Sequence, residues 1–357
     1  MTMTRLLVMA DGCSVHTSRW CSYFIDAGWE VALFSLEPPS DAAPVRCYSA
    51  RKPTSMDTVD YWLAKRAFRA AAADFGPDVI SAHYAASYGW LASYWGSCPV
   101  VVTTWGSDLL ILPRKSIIHR RRVARALSRA AYCTVDGKNL FDAVAAYISP
   151  DKIVRAVMGV DRDYFAAAEK TDYSHDGPIR IIAPRGLPPV YDPGTIVAAA
   201  ALLKGKLDLR IDLSGSGPQA EAIMKEVGRR SLSDVIVLRP FVSDLHAHRE
   251  SLKEYDLHLS ASLSDSTSVS LLEAMATGLF PVVTRIDGNR EWIEDGRNGL
   301  LFAPRSPESL ADAILRAAAM RRQWSEIAAY NRRRVADTAI WEDNMERVKR
   351  LFVDLAG

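Results

Sequence analysis

Short apolar runs alternate with helical patterns along almost the whole chain, and this alternation constrains the fold more than any other feature. In the first half, runs typical of strands lie at residues 6–10, 31–36, 78–84, 100–105, 131–135 and 152–157. Helical patterns lie between them, near residues 16–27, 57–74, 116–129 and 138–147. Apolar strands that are joined through helices form a parallel sheet with both faces covered.

The same alternation restarts after a polar stretch at residues 169–178, which predicts a linker. The second half has predicted strands at residues 179–184, 209–215, 235–240, 256–262 and 280–284. The fold class is therefore α/β, with two successive doubly wound domains. We expect one domain at residues 1–168, a second at 169–338, and a helix at 339–357 that packs on the first domain. Ligands of open parallel sheets bind beyond the carboxyl ends of the strands, so the expected site is a cleft between two facing sheets.

Composition excludes several classes of protein. Among 357 residues there are 44 Lys and Arg against 42 Asp and Glu, so the formal net charge of +2 offers no general attraction to nucleic acid. With 49% hydrophobic residues the chain is not disordered. Its longest apolar stretch, residues 196–203, is too short to cross a membrane, so any membrane contact is expected to be peripheral. The first ten residues predict a strand rather than a signal peptide.

The cysteines point to a reducing compartment. They are Cys13, Cys21, Cys47, Cys98 and Cys133, and no two of them form a Cys-x-x-Cys pair. This spacing predicts reduced thiols in a cytoplasmic protein, with no zinc site and no disulfide framework.

The sharpest motif lies in the second half, where a predicted strand is followed by a loop with Asp265 and a helix with Glu273. The start of that helix, at Ser268 and Val269, offers unpaired N–H groups and a positive partial charge that suit a diphosphate. Glu273 lies about one and a half turns into the helix, where a carboxylate can accept hydrogen bonds from two vicinal hydroxyls, as on a ribose. The other interpretation is that Asp265 and Ser266 only cap the helix and that Glu273 is a solvated charge.

This segment resembles the signature of the retaining glycosyltransferases with the GT-B fold, the group 1 or family-4 class. That signature has two Glu residues separated by seven others, in an Ala-Met-Ala-x-Gly-x-Pro-Val-Val context. Here the acids differ by 273 − 265 = 8 positions, and the run from Glu273 through Gly278 to Pro281-Val-Val matches, whereas Asp265 replaces the first Glu. In element order the resemblance covers essentially the whole chain. It implies two Rossmann-like domains facing across a cleft, with the acceptor bound by the first and the donor by the second.

The resemblance also implies roles for other residues of the second domain. Arg185, after the strand at 179–184, corresponds to an Arg that contacts the donor phosphates, and Val190 stands where the family has a second cation, a Lys. Gly215 belongs to a Gly-x-Gly-Pro turn near the phosphates, although a tight turn alone also explains it. Phe241 corresponds to a position near the nucleotide base.

In the first domain the matches are less specific. Gly12 follows the first strand, where the family has a Gly-rich loop near the donor phosphate, and His16 opens the next helix, where it either faces the acceptor or is structural. His83 ends a strand, as does a family His that contacts the transferred sugar. Many relatives have His where Trp105 stands. Asp108 either binds an acceptor or sugar hydroxyl or forms a turn.

A basic segment stands out against the balanced total charge. It contains Arg114, Lys115, Arg120, Arg121, Arg122, Arg125 and Arg129. One interpretation is a solvated helix face. The other is docking on anionic lipid or on a phosphate-bearing acceptor, which makes Arg121 and Arg125 candidate acceptor-binding residues.

The resemblance implies a retaining, metal-independent transferase that needs no cofactor. It would move a sugar from a nucleotide diphosphate sugar, with UDP preferred, to a hydroxyl of a glycan, lipid-linked or small-molecule acceptor, in bacterial envelope polysaccharide or lipid-linked glycan synthesis. The candidate catalytic residues are Arg185, Asp265, Glu273 and His83. The alternative is a catalytically weakened partner subunit that binds nucleotide sugar or glycan without turnover. A sugar-nucleotide epimerase would need an acid–base pair, and the sequence offers no convincing one.

Overall fold

The computed structural model describes residues 3–37, 45–54, 56–170, 172–173, 177–240, 242 and 244–357, except for the side chains of residues 115 and 245. The chain divides into two compact units. Unit 1 consists of Met1–Ala156 and Met345–Gly357, and unit 2 of Val157–Asn344. Residues 157–168, which the sequence places in the first domain, therefore pack with unit 2.

Unit 1 is built on a parallel sheet. Within the described residues its strands are β1 (Arg5–Met9), β2 (Glu30–Ser35), β3 (Arg46–Ser49), β4 (Val79–His83), β5 (Val100–Thr103), β6 (Tyr132–Val135) and β7 (Ile153–Arg155). Their order is β3-β2-β1-β4-β5-β6-β7, and every neighbouring pair is parallel.

The sequence of each strand reflects its place in this sheet. All residues of the central strand β4 are buried, as is β1 from Leu6 onward, because helices cover both faces. The edge strand β3 is largely exposed and reads Arg-Cys-Tyr-Ser, so it lacks the apolar run that predicted the others. Sequence analysis therefore missed it.

The helices of unit 1 follow the predicted alternation, with one interruption and several short additional elements. They are α1 (Val15–Asp26), α2 (Asp57–Leu63), α3 (Lys65–Phe75), α4 (Trp90–Ala92), α5 (Ser107–Leu110), α6 (Leu112–Lys115), α7 (Ile117–Arg129) and α8 (Lys138–Ala145). The helix predicted at 57–74 is interrupted at Ala64, which separates α2 from α3. A π-helix at Tyr84–Gly89 follows β4, and a 3₁₀ turn at Pro150–Lys152 precedes β7.

Unit 2 is built on a second parallel sheet. Its described strands are β8 (Ile179–Ala183), β9 (Leu209–Ser214), β10 (Ile236–Arg239), β11 (Leu257–Ser260), β12 (Phe280–Thr284) and β13 (Leu300–Phe302). The order is β10-β9-β8-β11-β12-β13, with parallel pairs throughout. The three-residue β13 is too short to be recognised from its sequence.

Helices cover both faces of this sheet as well. They are α9 (Arg162–Ala167), α10 (Pro193–Leu203), α11 (Ala220–Arg229), α12 (Leu245–Leu252), α13 (Val269–Thr277), α14 (Asp287–Arg290), α15 (Pro307–Ala319), α16 (Trp324–Thr338) and α17 (Trp341–Ala356). Short 3₁₀ turns lie at Pro189–Tyr191 and Arg321–Gln323. One core includes Val197 of α10 and Ile314 of α15, and the other includes Met275 of α13 and Val335 of α16. The predicted fold class, two parallel Rossmann-like sheets, is confirmed.

From Met345 onward the last helix, α17, belongs to unit 1. There Phe352 stacks on Phe24 of α1, with ring centroids 5.3 Å apart and an interplanar angle of 9°. Across the described parts of the chain, we find no helix that combines the length and the apolar composition needed to cross a membrane.

A buried ion pair fastens the first residues of the predicted linker to unit 2. Lys170 Nζ lies 2.9 Å from Asp256 Oδ1 and donates to the Tyr255 carbonyl at 2.6 Å. Asp256 Oδ2 in turn accepts a hydrogen bond from the Arg180 N–H at 2.9 Å. Burial lowers the pKa of Lys170, although the carboxylate beside it favours the charged form.

We expect Lys170→Met to lower the free energy of unfolding of unit 2 by about 3–5 kcal/mol, because it leaves the Asp256 carboxylate buried without its cation. The measurement is hydrogen exchange of β11 peptides across a urea titration. Lys204→Met is the matched control, since Lys204 pairs with Asp234 on the surface and its loss should cost at most about 1 kcal/mol. Equal effects of the two substitutions would contradict this account.

Candidate active site

The loops that follow the strands of unit 2 are tied to one another at the carboxyl edge of the sheet. The Leu187 N–H donates to the Ser216 carbonyl at 2.9 Å, which joins the loops after β8 and β9. The Leu263 N–H donates to the Val190 carbonyl at 2.8 Å, which joins the loops after β8 and β11. These loops therefore form one continuous surface at the edge where ligands of open parallel sheets bind.

Arg185 is the centre of this surface. Its Nη2 lies 2.8 Å from Asp265 Oδ2, its Nη1 donates to Ser268 Oγ at 3.1 Å, and its guanidinium lies over the Tyr191 ring, 4.3 Å from the centroid. Three of the residues predicted from sequence, Arg185, Asp265 and Ser268, are thus brought into direct contact. Such a guanidinium is held in a fixed orientation, and its planar fork can bind a phosphate group through two hydrogen bonds.

The predicted helix after Asp265 is α13, which begins at Val269. Ser268 is its N-cap, with Oγ accepting a hydrogen bond from the Leu271 N–H at 3.4 Å. The helix therefore directs its positive end at the same place as the Arg185 guanidinium. Because Asp265 lies in the loop before the cap and pairs with Arg185, its role is not limited to capping the helix.

Glu273, on the same helix, faces a residue that sequence analysis missed. Its Oε2 lies 3.5 Å from Nε2 of His248 on α12, and both side chains are largely buried. Burial, and then the charge of Glu273, raise the pKa of the Tyr164 hydroxyl, which lies 3.4 Å from Thr277 Oγ1. Glu273 is therefore a partly enclosed carboxylate rather than a solvated charge. No local motif marks His248, because its partner lies on another helix.

The loop that carries Asp265 rests on Gly288, at the start of α14. A Cβ at this position would lie 2.6 Å from the Asp265 carbonyl oxygen and still closer to that of Ser266. The neighbouring Asn289 amide donates to the Thr284 carbonyl at 2.9 Å, and Thr284 Oγ1 donates to the Ser262 carbonyl at 2.5 Å. The Asp-Gly-Asn segment at residues 287–289 thus holds the loop of Asp265 in position. The sequence pattern does not predict this role.

The remaining donor-site predictions have different outcomes. Gly215 has a φ of +105°, and a Cβ there would lie 3.0 Å from the Gly186 Cα, so the structure explains this glycine by a tight turn. Val190, at the position of the second cation of the family, contributes its carbonyl oxygen to the loop contact described above. Phe241 lies outside the described residues. The role of Val269 N–H toward a ligand stays a prediction.

In unit 1, His83 is buried at the end of β4 among aromatic rings. The Trp20 ring meets it edge-on at 4.9 Å, the Trp105 ring lies at 5.4 Å, and Ser81 Oγ lies 3.2 Å from its Nε2. Burial, and then the neighbouring His16, lower the pKa of His83 to about 3, so its ring is neutral at physiological pH. His16 stacks on Trp105 with ring centroids 5.4 Å apart, so it joins this cluster.

The residue after His83 has an unusual backbone conformation. Tyr84 has a φ of +63°, a left-handed value that non-glycine residues seldom adopt and that concentrates at functional sites. Gly12, after β1, donates its N–H to the Glu37 carbonyl at 2.9 Å and to Ser35 Oγ at 3.0 Å. This anchors the loop after β1 to the end of β2, at the same edge of the sheet.

Asp108 has a structural environment. It is fully buried, and its oxygens accept hydrogen bonds from the N–H groups of Ala85 at 2.8 Å and of Trp105 and Gly106 at 3.1 Å. Burial raises the pKa of this carboxyl, although the backbone donors favour its ionised form. The geometry therefore favours the turn-forming interpretation over an acceptor contact.

The two arginines predicted to bind an acceptor differ in their surroundings. Arg121 is exposed on α7. The Arg125 guanidinium lies 4.1 Å from the centroid of the Tyr94 ring, and its Nε donates to Ser93 Oγ at 3.1 Å. Arg125 thus joins α7 to the segment around α4. In the described part of the chain, no group of three or more His, Cys, Asp or Glu residues is placed to hold a metal ion.

Comparison with known proteins places this architecture in a defined class. Residues 5–136 match the model of the glycosyl transferase 4-like domain, and residues 192–319 match that of the glycosyl transferases group 1. Sucrose-phosphate synthase from Thermosynechococcus elongatus superimposes with a TM-score of 0.81 at 18% identity, covering 99% of each chain. Anabaena Alr3699/HepE in complex with UDP gives a TM-score of 0.79 at 15% identity, covering 99% of this chain and 100% of that one. At these identities the likeness concerns the fold.

Two parallel Rossmann-like sheets, together with these whole-chain structural neighbours, define a GT-B protein. The paired domain models narrow this further: the chain belongs to the group 1 glycosyltransferases. Among curated relatives, the D-inositol 3-phosphate glycosyltransferase of Pseudarthrobacter chlorophenolicus is 31% identical over 207 residues, which cover 50% of this chain. The chain spans about half the length of that relative, 49%.

We expect Gly288→Ala to lower the stability of unit 2 by about 1–3 kcal/mol, because the added methyl group would force the backbone of Asp265 and Ser266 away from α14. The measurement is the thermal unfolding midpoint, with UDP affinity by calorimetry as a second readout. Gly228→Ala is the control, because a Cβ there meets nothing within 4 Å inside helix α11. If the Gly288 variant were as stable as the control and bound UDP as tightly, Gly288 would not support the loop of Asp265.

Proposed function

We propose that this protein transfers a sugar from a nucleoside diphosphate sugar, preferably a UDP-sugar, to an acceptor hydroxyl with retention of the anomeric configuration. The observation that carries the proposal is the Arg185 guanidinium, which is fixed by Asp265, Ser268 and Tyr191 at the N-terminus of α13. The structure of HepE with UDP and the name of the inositol phosphate glycosyltransferase relative support the donor and the reaction class.

The donor diphosphate would lie between Arg185 and the first N–H groups of α13, at Ser268 and Val269. As the bond from the sugar to the diphosphate breaks, negative charge grows on the leaving oxygen, and these groups are already oriented to stabilise it. Val190 supplies no second cation, so Arg185 carries more of this charge. The proposal accordingly includes neither a metal ion nor another cofactor.

The other polar groups would bind the rest of the donor. Glu273 would accept hydrogen bonds from the ribose hydroxyls, and Asp265 would bind a hydroxyl of the donor sugar. His83, as a neutral imidazole, would contact the transferred sugar. The new bond would form between the anomeric carbon and the acceptor oxygen on the face from which the diphosphate leaves, and the acceptor proton would pass to the leaving phosphate oxygen. No protein general base is then required.

The acceptor would bind to unit 1, with His16 and the exposed Arg121 as candidate contacts. A glycan or lipid-linked acceptor in envelope polysaccharide synthesis is the preferred class, and a small molecule is the second. Such an enzyme would work in the cytoplasm, at the inner face of the membrane, with no nucleic-acid partner.

One alternative keeps specific support, namely a partner subunit that binds nucleotide sugar or glycan without turnover. Val190 and Asp265 both depart from the family signature, and Trp105 replaces a frequent His. Donor hydrolysis and transfer assays separate the alternatives, because the partner subunit would bind nucleotide sugar or glycan and release no sugar with any acceptor.

We expect Arg185→Ala to weaken UDP binding about 10- to 100-fold, since a hydrogen bond to a charged group contributes about 1.5–3 kcal/mol. Uridine, which lacks the diphosphate, should bind the variant and the parent equally well. Arg185→Lys should bind UDP with intermediate affinity, because an ammonium cannot reproduce the fork or the contact with Tyr191. Isothermal titration calorimetry measures all three affinities.

Arg229→Ala is the matched control, because Arg229 is an exposed arginine that forms an ion pair with Glu226 of the same helix. Its UDP affinity should equal that of the parent. If the Arg185 variants lost uridine as strongly as UDP, the guanidinium would be maintaining the fold of the site and the phosphate assignment would be wrong.

With a UDP-sugar of α configuration and a suitable acceptor, we expect an α-linked product and a rate that EDTA leaves unchanged. Proton NMR of the anomeric signal gives the configuration directly. A β-linked product would refute retention. A rate that is lost in EDTA and restored by Mg²⁺ would refute metal independence.

Glu273→Gln should raise the KM for the donor more than tenfold, because Glu273 is proposed to accept hydrogen bonds from the ribose hydroxyls.

A further inference from the structure

Unit 1 exposes five large apolar side chains on two neighbouring helices. Met56, Trp62 and Leu63 belong to α2 and its N-cap, and Ile117 and Ile118 begin α7. Each of the five is between 46% and 59% exposed, and together they make up half of the ten large apolar side chains that are exposed in the described residues. We call this set the apolar patch. Single exposed apolar residues are ordinary, whereas a contiguous group marks a contact surface.

Direct contacts show that the two helices of the apolar patch are neighbours. The Arg122 guanidinium on α7 donates from Nη2 to the Thr58 carbonyl of α2 at 2.6 Å. Lys65 Nζ lies 5.8 Å from the Trp62 ring and 3.7 Å from the Tyr94 ring, over which Arg125 of α7 also lies. These cation–π contacts fix α2 and α7 against the segment around α4, so the patch is held on a rigid support.

The helices next to the apolar patch carry exposed positive charge. Exposed arginines on α3, α6 and α7 are Arg66, Arg69, Arg114, Arg120, Arg121 and Arg129. Helix α7 contains no acidic residue. Of the acids of α2 and α3, Asp60 is buried, Asp74 pairs with Arg46, and Asp57 pairs with Lys52 although it stays exposed. One turn separates Ile117 from Arg120 and Arg121, so apolar and basic side chains share one face of α7.

We propose that the apolar patch and the arginines around it form a docking surface for an anionic lipid bilayer. Arginines alone would fit any polyanion, and apolar side chains alone would fit another protein. The combination fits an interface, where Ile, Leu and Met enter the acyl region, an indole lies at the headgroup level, and guanidinium groups meet lipid phosphates. This inference rests on the proposed function at one point: there unit 1 binds the acceptor, so docking through unit 1 would place the acceptor-binding part of the enzyme at the membrane.

Vesicle co-sedimentation tests the surface with the full chain. The probes are vesicles of phosphatidylcholine alone and vesicles with one quarter phosphatidylglycerol, each at 100 mM and 500 mM NaCl. We expect the parent to partition at least tenfold more strongly to the anionic vesicles, and this preference to fall at high salt because the charges are screened.

Two double variants separate the apolar and basic contributions. Ile117→Ser with Ile118→Ser should reduce partitioning to anionic vesicles at both salt concentrations. Arg114→Gln with Arg120→Gln should reduce it about 30-fold at low salt and much less at high salt, since each basic residue near the surface contributes about 1 kcal/mol. Matched controls are Leu315→Ser and Arg229→Gln, an exposed apolar residue and an exposed arginine of unit 2, which should partition like the parent.

The thermal unfolding midpoint in the absence of vesicles serves as the folding control, because the substituted side chains are exposed and none belongs to the candidate active site. All four variants should match the parent. Equal partitioning of the parent to both vesicle types, or variants that partition like the parent, would overturn the docking surface. Size-exclusion chromatography with light scattering tests for a dimer. If the parent were a dimer and the Ile117→Ser, Ile118→Ser variant were a monomer, the patch would instead be a contact with a second copy of the chain. A parent that binds anionic vesicles but no nucleotide would refute the proposed function and leave this inference standing.

Discussion

The site of unit 2 depends on a single guanidinium. Arg185 leaves the end of β8 and contacts the loop after β11, the cap of α13 and the Tyr191 ring. Asp265 and Ser268 both lie between β11 and α13, and Tyr191 lies in the loop that carries Arg185, so the orientation of this one side chain depends on how closely those two loops approach. The backbone ties between the same loops, and the glycine behind Asp265, keep that approach fixed. Val190, in the same loop as Arg185, adds no second cation to these contacts.

Much of unit 2 could be predicted from its sequence because its signals are local. Apolar strands, the helix after Asp265 and the spacing of Asp265 and Glu273 all lie within short windows, and the structure brings Arg185 into contact with Asp265 and Ser268. The contributions of Gly288 and His248 could not be predicted, since each acts on a residue of another element. The edge strand β3 and the short β13 were missed for a related reason, because neither carries an apolar run long enough to be distinctive.

Unit 1 shows the limit of arguments from residue type. Asp108 and Arg125 were candidates for acceptor contacts because they are polar and follow a strand or share a basic face. The structure engages both with their own unit, Asp108 through backbone N–H groups and Arg125 through Tyr94 and Ser93. The charge of a side chain can be read from the sequence. Whether that side chain can bind a ligand depends on the contacts it already makes with residues far away in the chain. For the basic helix α7 the sequence left open a solvated face, anionic lipid or a phosphate-bearing acceptor, and the exposed apolar side chains on α2 and α7 are what favour lipid.

The environment of His83 has a stereochemical consequence. An imidazole that stays neutral at physiological pH keeps one donor and one acceptor nitrogen, and here Trp20 and Trp105 restrict the rotation of the ring while Ser81 occupies Nε2. Such a ring can form one hydrogen bond with a hydroxyl, and only from one fixed direction. Epimeric hexoses differ in the direction of a single hydroxyl, so in the proposed function a rigid, uncharged contact of this kind would discriminate between them by angle rather than by charge. With a sugar bound at His83, the aromatic cluster would give unit 1 a means of distinguishing sugars of identical composition.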